Sequence, residues 1–463
     1  MPQLSVLRPT AAEFREMIRL AWPVVLAQVG IMLLGVVDTA MVGRVGPDAV
    51  AAVALSHLYW VNLTIPGIGL LLVLDPVVSQ AIGAADRPAA ARGVQRGVIL
   101  AVMLTIPTSL LLLPGELFLA ALRQPPEIAP IAATFSRWTA LSVLPFYLFV
   151  AFRQSLQAMT HTRAIVIAII AGNVINLVLN WLLIYGNLGF PAYGVLGSAI
   201  STVIGRWAML AILLWFGRHQ LLPLLRPWFT DAWKLRPLGR MISVGLPVAF
   251  QQWLEVAVFA GGAVAIGWIG VKPLAAHEIA INLAALTFMV PLGVSAAAAA
   301  MVGRAIGRGD LAAARRDSVA ALGVGLAFMT VAALGFLVAP GPLAGLFLSD
   351  PETRAMAASL IVIAGVFQIV DGIQCVAAGI LRGTADTRVP MLIHLGGFWG
   401  IGAPLGLYLA FPAGMGARGI WLAFAGSLLV VAGAQILRVR WRLSRDIERL
   451  RIEETNEFAV PGA

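Results

Sequence analysis

The chain has 463 residues, 60% of them hydrophobic and only 12% charged, with a mean hydropathy of +0.90. A soluble domain averages roughly 45–50% apolar and about 25% charged, so the composition excludes a water-soluble enzyme and indicates an integral membrane protein. The net charge of +10 does not signal nucleic acid, because the basic residues sit in loops between apolar runs. The single cysteine, Cys375, leaves no disulfide framework and no CxxC metal site.

Backbone groups in lipid must be satisfied internally, and the alternation of a β-barrel is absent, so the apolar runs are read as helices. In chain order the predicted spans are 17–41, 51–81, 93–113, 130–152, 164–185 and 194–216. The second half adds 240–267, 275–301, 313–338, 355–381, 389–411 and 415–437. The first run is too long for a signal-peptide core and is kept as a mature helix. Twelve spans put 25 basic residues on the side of the termini and five (Arg44, Arg123, Lys272, Arg354, Arg418) on the other, with Arg137 and Arg206 inside spans. That bias predicts both termini in the cytoplasm of an inner-membrane protein.

An internal repeat follows at an offset of 224. Pro23 matches Pro247, Gln28 matches Gln252, Gly46 matches Gly270, Ala81-Ile82-Gly83 matches Ala305-Ile306-Gly307, and Asp86 matches Asp310. At 225, Thr162-Arg163 matches Thr387-Arg388. Each repeat holds an even number of helices, so the halves enter the bilayer in the same sense, related by an axis along its normal. The predicted fold is therefore all-α: two six-helix lobes, 1–216 and 240–437. A linker at 217–239 joins them and a basic tail, 438–463, follows.

An ionisable residue inside a span is costly and marks a functional site by default. Asp38 ends the first span with no basic residue in the preceding turn. Glu255 lies mid-span with Gln251 and Gln252 on its own face, and Asp371 has Gln368 and Gln374 three residues to either side. Asn173, Asn176 and Asn180 share one face and suit either Na⁺ ligation or interhelical hydrogen bonding. Asp75 is placed at a helix end reached by water, Glu278 near the far surface, and Arg206 against a carboxylate or a cavity. His57, His277 and His394 lack metal spacing. There is no Walker A loop, no GxSxG and no GxGxxG after a strand, so neither ATP-driven pumping nor catalysis has machinery here, and no cofactor is expected.

Taken together, the stretches LAWPVVLAQ, VVDTAMVG, DPVVSQAIGA, NVINLVLNWLLIYGNLGFPAYGVLGSAIST, VGLPVAFQQWLEVAVF, LAAHEIAINLAALTFMVPLGVS, GRAIGRGD and QIVDGIQCVAAGILRG resemble the multidrug and toxic compound extrusion family, NorM-type branch, over the whole chain. The resemblance implies a two-lobe exporter of organic cations and drugs in exchange for Na⁺ or H⁺. It implies cation coupling at Asp38, at Asn176 and Asn180, and at Glu255 and Asp371, with Na⁺ at the last two. Some archaeal-type members carry Asp where this chain has Asn180, which tilts coupling toward the second lobe or a shared arrangement.

The physical expectation is competition for negative charge in a low-dielectric cavity between the coupling ion and a hydrophobic organic cation. The cavity wall is read as Phe250, Gln252, Trp253, Asn282, Phe288 and Phe367, with Phe259 and Met289 beside them. The expected partners are cationic amphipathic drugs and membrane lipid, and the expected assembly is a monomer. The alternative is a lipid-linked-precursor flippase of the same superfamily. It needs a strongly cationic cavity, and here mid-span acids outnumber mid-span arginines.

Overall fold

The computed structural model describes residues 9–121 and 127–453, so Arg8 and Arg123, counted above, lie outside the described residues. Numbered by span, the helices of the first half are α1 (Ala11–Val42), α2 (Pro47–Leu71 continued by Leu74–Gly83) and α3 (Arg87–Leu112). They continue with α4 (Ala129–Ala140 and Val143–Ala158), α5 (Arg163–Tyr185) and α6 (Val195–Leu225). The second half holds α7 (Leu235–Ile269), α8 (Val271–Gly307), α9 (Leu311–Val338), α10 (Pro351–Gly383), α11 (Arg388–Ala410) and α12 (Ala417–Leu443). Eleven are long and apolar enough to cross a membrane unbroken, and α4 makes twelve when its two arms, bent by 50°, count as one span. Among the described residues there is no strand. The chain is a multi-pass membrane protein.

Two spans depart from the straight helices expected. Pro145 has no N–H to give the Leu141 carbonyl, so α4 breaks there. In α11, the glycine-rich stretch Leu395–Gly402 is wound as a π-helix between two α-helical arms. Helix α1 starts on a reciprocal cap, with Thr10 accepting from the Glu13 N–H and Glu13 accepting from the Thr10 N–H.

The repeat is visible in three dimensions as contacts that reciprocate. Gly69 packs on the backbone of Ala249, and Gly293 packs on that of Val25; an offset of 224 converts one contact into the other. In the same way Gly83 lies against the Arg304 carbonyl and Gly307 against the Gln80 carbonyl, too close for any side chain. Gly46 and Gly270 precede α2 and α8 with φ of 152° and 154°, a backbone that favours glycine. Reciprocal contacts of this kind are what a two-fold axis between the lobes produces.

These contacts, the Phe14 ring against Gly323 and the Gln80 amide on the Gly383 carbonyl (2.9 Å) gather toward the end of the molecule where α1 begins and α12 finishes. The large first-lobe core lies around Tyr147 and Phe149. The second lobe has a core around Trp421 and Phe367 and another that takes in Met17 and Ala21 of α1, which knits the lobes at that same end. Above this floor the lobes enclose the sites described next.

Candidate functional site

In the first lobe, α1, α5 and α6 bring four polar side chains together. Asp38 is 8% exposed near the end of α1. Asn180 uses both hydrogens of its amide, one to Asp38 Oδ1 at 2.5 Å and one to Asn176 Oδ1 at 3.1 Å. Thr202 donates to Asp38 Oδ2 at 3.0 Å and shares that proton with the Ser198 carbonyl. The Asn180 carbonyl oxygen and the Asn176 amide nitrogen are buried with no partner, which leaves the cluster one acceptor and one donor in hand.

Asp38 and Asn176 line a cavity of about 290 Å³ together with Arg206 and Trp60. The Arg206 guanidinium lies 3.7 Å over the Trp60 ring and donates to Ser142 Oγ at 2.6 Å, at the break in α4. Arg206 meets both expectations: it faces the cavity, stacked on an aromatic face, and its charge acts on Asp38. Asn173 stands apart from the cluster, donating to the Gly30 and Ile169 carbonyls.

In the second lobe, α7 and α10 bring Glu255 and Asp371 together. The Gln374 amide donates to Glu255 Oε1 at 3.0 Å and to Asp371 Oδ1 at 3.2 Å, and its own carbonyl oxygen is buried without a partner. His394 stands behind, at the start of the π-helical stretch. Its Nε2 contacts the side-chain amides of Gln251 and Gln435 at 3.2 and 2.7 Å, and its Nδ1 lies 3.9 Å from Glu255 Oε2. Glu255, Gln252 and Phe288 line a cavity of about 90 Å³ between the lobes, together with Gln28 and Arg153 of the first lobe. Asp371 is buried behind Gln374.

Several expected wall residues are elsewhere. Successive α-helical positions turn by about 100°, which puts Phe250 and Trp253 on the far face of α7 from Glu255. They are 47% and 40% exposed on the helix exterior. Phe367 is packed in the second-lobe core, 5.4 Å from the Trp421 ring. Phe259 is similarly engaged with Phe424 and Phe398. Asn282 is exposed and turns back on the Glu278 carbonyl. Asp75 is not at a wet helix end: it is buried, accepting from Gln154 at 2.9 Å and from Arg382 at 2.8 Å across the interlobe seam. Arg137 is exposed and paired with Glu116.

The residues that sequence reasoning passed over are Thr202 and Gln435; His394 is weighed there only as a metal ligand. Gln435 is a lone amide in an apolar run and so carried a signal. Thr202 carried none, since hydroxyls are common in membrane helices. Among the described residues no three His, Cys, Asp or Glu side chains are grouped as a metal centre.

A sequence profile of the MatE family matches residues 23–182 and 247–408. The chain is 37% identical over 449 residues to a probable multidrug resistance protein NorM of Mesorhizobium japonicum, covering 94% of each protein. It is 40% identical over 429 residues to the multidrug resistance protein NorM of Burkholderia vietnamiensis, covering 89% of this chain and 91% of that one. The crystal structure of the eukaryotic MATE transporter AtDTX14 matches its fold with a TM-score of 0.85 at 20% identity, over 94% of this chain and 98% of that one. A MOP superfamily transporter from Pyrococcus furiosus matches with a TM-score of 0.84 at 18% identity, over 96% and 98%. With its two reciprocal six-helix lobes and the profile match in both of them, the chain belongs to the MatE family of membrane transporters.

Proposed function

We propose that this protein is a multidrug efflux antiporter of the inner membrane, with both termini cytoplasmic, that exports cationic amphipathic compounds in exchange for Na⁺ or H⁺. The observation that carries the reading is the Glu255–Gln374–Asp371 arrangement. One amide bridges the buried Asp371 and the partly buried Glu255, which faces the cavity between the lobes. The names of the NorM relatives support multidrug export.

Two carboxylates in one low-dielectric pocket are costly to keep charged and uncompensated. A proton relieves this by neutralising one acid. A Na⁺ ion relieves it through oxygen ligation, for which the two carboxylates and the unpartnered Gln374 carbonyl oxygen supply hard donors. An organic cation competes for the same charge from the interlobe cavity, where Phe288 and Gln252 provide an apolar and a polar wall. Ion entry from the open side then favours drug release, and drug binding from the other side favours ion release. Asp38, held by Asn180 and Thr202, provides a second titrating or ion-binding position in the first lobe. The flippase alternative is less well supported, because the arginines at the cleft floor are engaged, Arg382 with Asp75 and Arg153 with Gln28.

The test is reconstitution in proteoliposomes with an ethidium-type dye and separately imposed Na⁺ and pH gradients. One of the two gradients should drive dye movement, and Glu255→Gln or Asp371→Asn should abolish it while the protein still reaches the membrane. Normal transport by both single variants and by the double variant would remove the carboxylates from the mechanism.

A further inference from the structure

The correspondence between the halves fails in one informative place, at the end where α1 begins and α12 finishes. At the offset of 224, Arg92 corresponds to Arg316 and Gln80 to Arg304. In the second lobe, Arg316 Nε donates to Glu13 Oε1 at 2.5 Å and Arg304 Nη2 to Glu16 Oε1 at 3.5 Å. The first turn of α1, which belongs to the other lobe, is thereby fastened over the ends of α8 and α9. For the first lobe to be fastened in the same way, α7 would need acids at the matching positions. Those positions are Pro237 and Arg240.

Arg92 nevertheless holds a carboxylate. Its Nε meets Glu453 Oε1, and Arg96 Nη1 lies 3.5 Å from the same oxygen. Glu453 lies on a non-helical strap, described over residues 444–453, that leaves α12 where Arg315 Nε donates to the Leu443 carbonyl at 2.7 Å. The strap crosses to the first lobe. The Leu450 N–H donates to Gln80 Oε1 at 2.7 Å, Arg449 Nη2 to Asp86 Oδ2 at 2.9 Å, and Ile452 joins the first-lobe core. Arg240, standing where the repeat would place a second acid, donates Nη1 to the Ile452 and Glu453 carbonyls at 3.4 and 3.1 Å.

We infer that the strap at 444–453 is a working part of the seal between the lobes. Asp231, just before α7, reaches Arg92 only at 3.9 Å; Glu453 supplies the close carboxylate that the second repeat lacks, and it makes with Arg92 the counterpart of the Glu13–Arg316 link. The strap is anchored on the second lobe through α12 and Arg240 and ends in the first lobe at Arg92, Arg96 and Gln80. Parting the lobes at this end therefore requires Glu453 and Glu13 to let go of their arginines. Both links are partly open to solvent, with side chains 18% and 35% exposed for Arg92 and Glu453 and 29% and 17% for Arg316 and Glu13. Links of that kind are weak enough to break and re-form in every cycle.

The inference depends on the transporter reading only in requiring that the lobes part, and its test uses neither drug nor ion gradient. In the Cys375→Ser background, spin labels at Arg163→Cys and Arg388→Cys, exposed positions at the same end of the two lobes, report their separation in lipid nanodiscs. Glu453→Gln and Arg92→Gln should each raise the long-distance population about threefold, as should Glu13→Gln. The double variant Arg92→Gln/Glu453→Gln should shift the distribution no further than Glu453→Gln alone, because the two residues act through one link. An unchanged distribution in Glu453→Gln alongside a shifted one in Glu13→Gln overturns the inference. So does a double variant whose shift is the product of the two single shifts, because Arg92 and Glu453 would then act independently.

Discussion

Arg382 on α10 and Asp75 on α2 form a 2.8 Å ion pair across the seam between the lobes, with side chains 12% and 4% exposed. Removing one partner of such a pair leaves the other charge buried and uncompensated, at a cost of about 3–5 kcal/mol. Arg382→Gln is therefore expected to lower the thermal unfolding midpoint in detergent sharply. The double variant Arg382→Gln/Asp75→Asn is expected to recover most of the loss, because no lone charge remains. Equal destabilisation by the single and double variants would show that the pair matters through its contacts with Gln154 and the helix backbone instead.

Gln374 is the one amide between Glu255 and Asp371. Gln374→Leu keeps the volume but leaves both acids without that donor, a loss of about 1–3 kcal/mol for each buried group left unpaired. Gradient-driven dye export in proteoliposomes is expected to fall at least as far as in Asp371→Asn. Gln374→Glu, which adds a third carboxylate, is expected to impair export as well, and to shift the ion dependence of the residual activity.

Asp38 separates two kinds of support. Asn180 commits a whole N–H to it, whereas Thr202 divides one proton between Asp38 and the Ser198 carbonyl. Asn180→Leu is therefore expected to reduce export more than Thr202→Val, and the pair measured in one vesicle preparation checks the order.

Asp86 lies between α2 and α3, outside the spans, where it caps α3 and meets the strap. Burial works to raise its carboxyl, but the Ala89 N–H and the Arg449 and Arg92 guanidiniums outweigh that and hold it below the ordinary value of 3.8. A depressed acid contributes its full stability above the ordinary value and loses it as pH falls through the folded value. Thermal unfolding of the parent and of Asp86→Asn is thus expected to differ at neutral pH, and the difference to shrink only as pH falls from about 4 through the depressed folded value.

The twelve spans, the repeat and the two-lobe plan were legible because each leaves a pattern in the chain: a run of apolar residues, a charge bias between loops, a constant offset. The principal acids were legible for a related reason, since an ionisable group inside a span has few uses other than a functional one. What surrounds them was less so. Phe250 and Trp253 are neighbours of Glu255 along the chain but lie across the helix from it, a distinction that needs the helix oriented against its partners. Thr202 and Gln435 come from helices far away in sequence. Asp75 looked like a wet terminus because the partner that buries it, Arg382, lies 307 residues on. The break in α4 followed from Pro145 in principle, but prolines inside α1, α7 and α8 leave those helices continuous.

The π-wound stretch of α11 gives that span a property its straight neighbours lack. Bonds that reach five residues back hold more chain per turn than the α pattern does. The arm Ala403–Ala410 is therefore set at a different rotation from Arg388–His394 than continuous α winding would give. His394, bonded to α7 and α12, is the last residue before the winding changes. Rewinding the four-glycine stretch as α-helix would swivel the outer arm about that fixed imidazole, and the Trp399 indole, now donating to the Leu254 carbonyl beside Glu255, would be carried round with it.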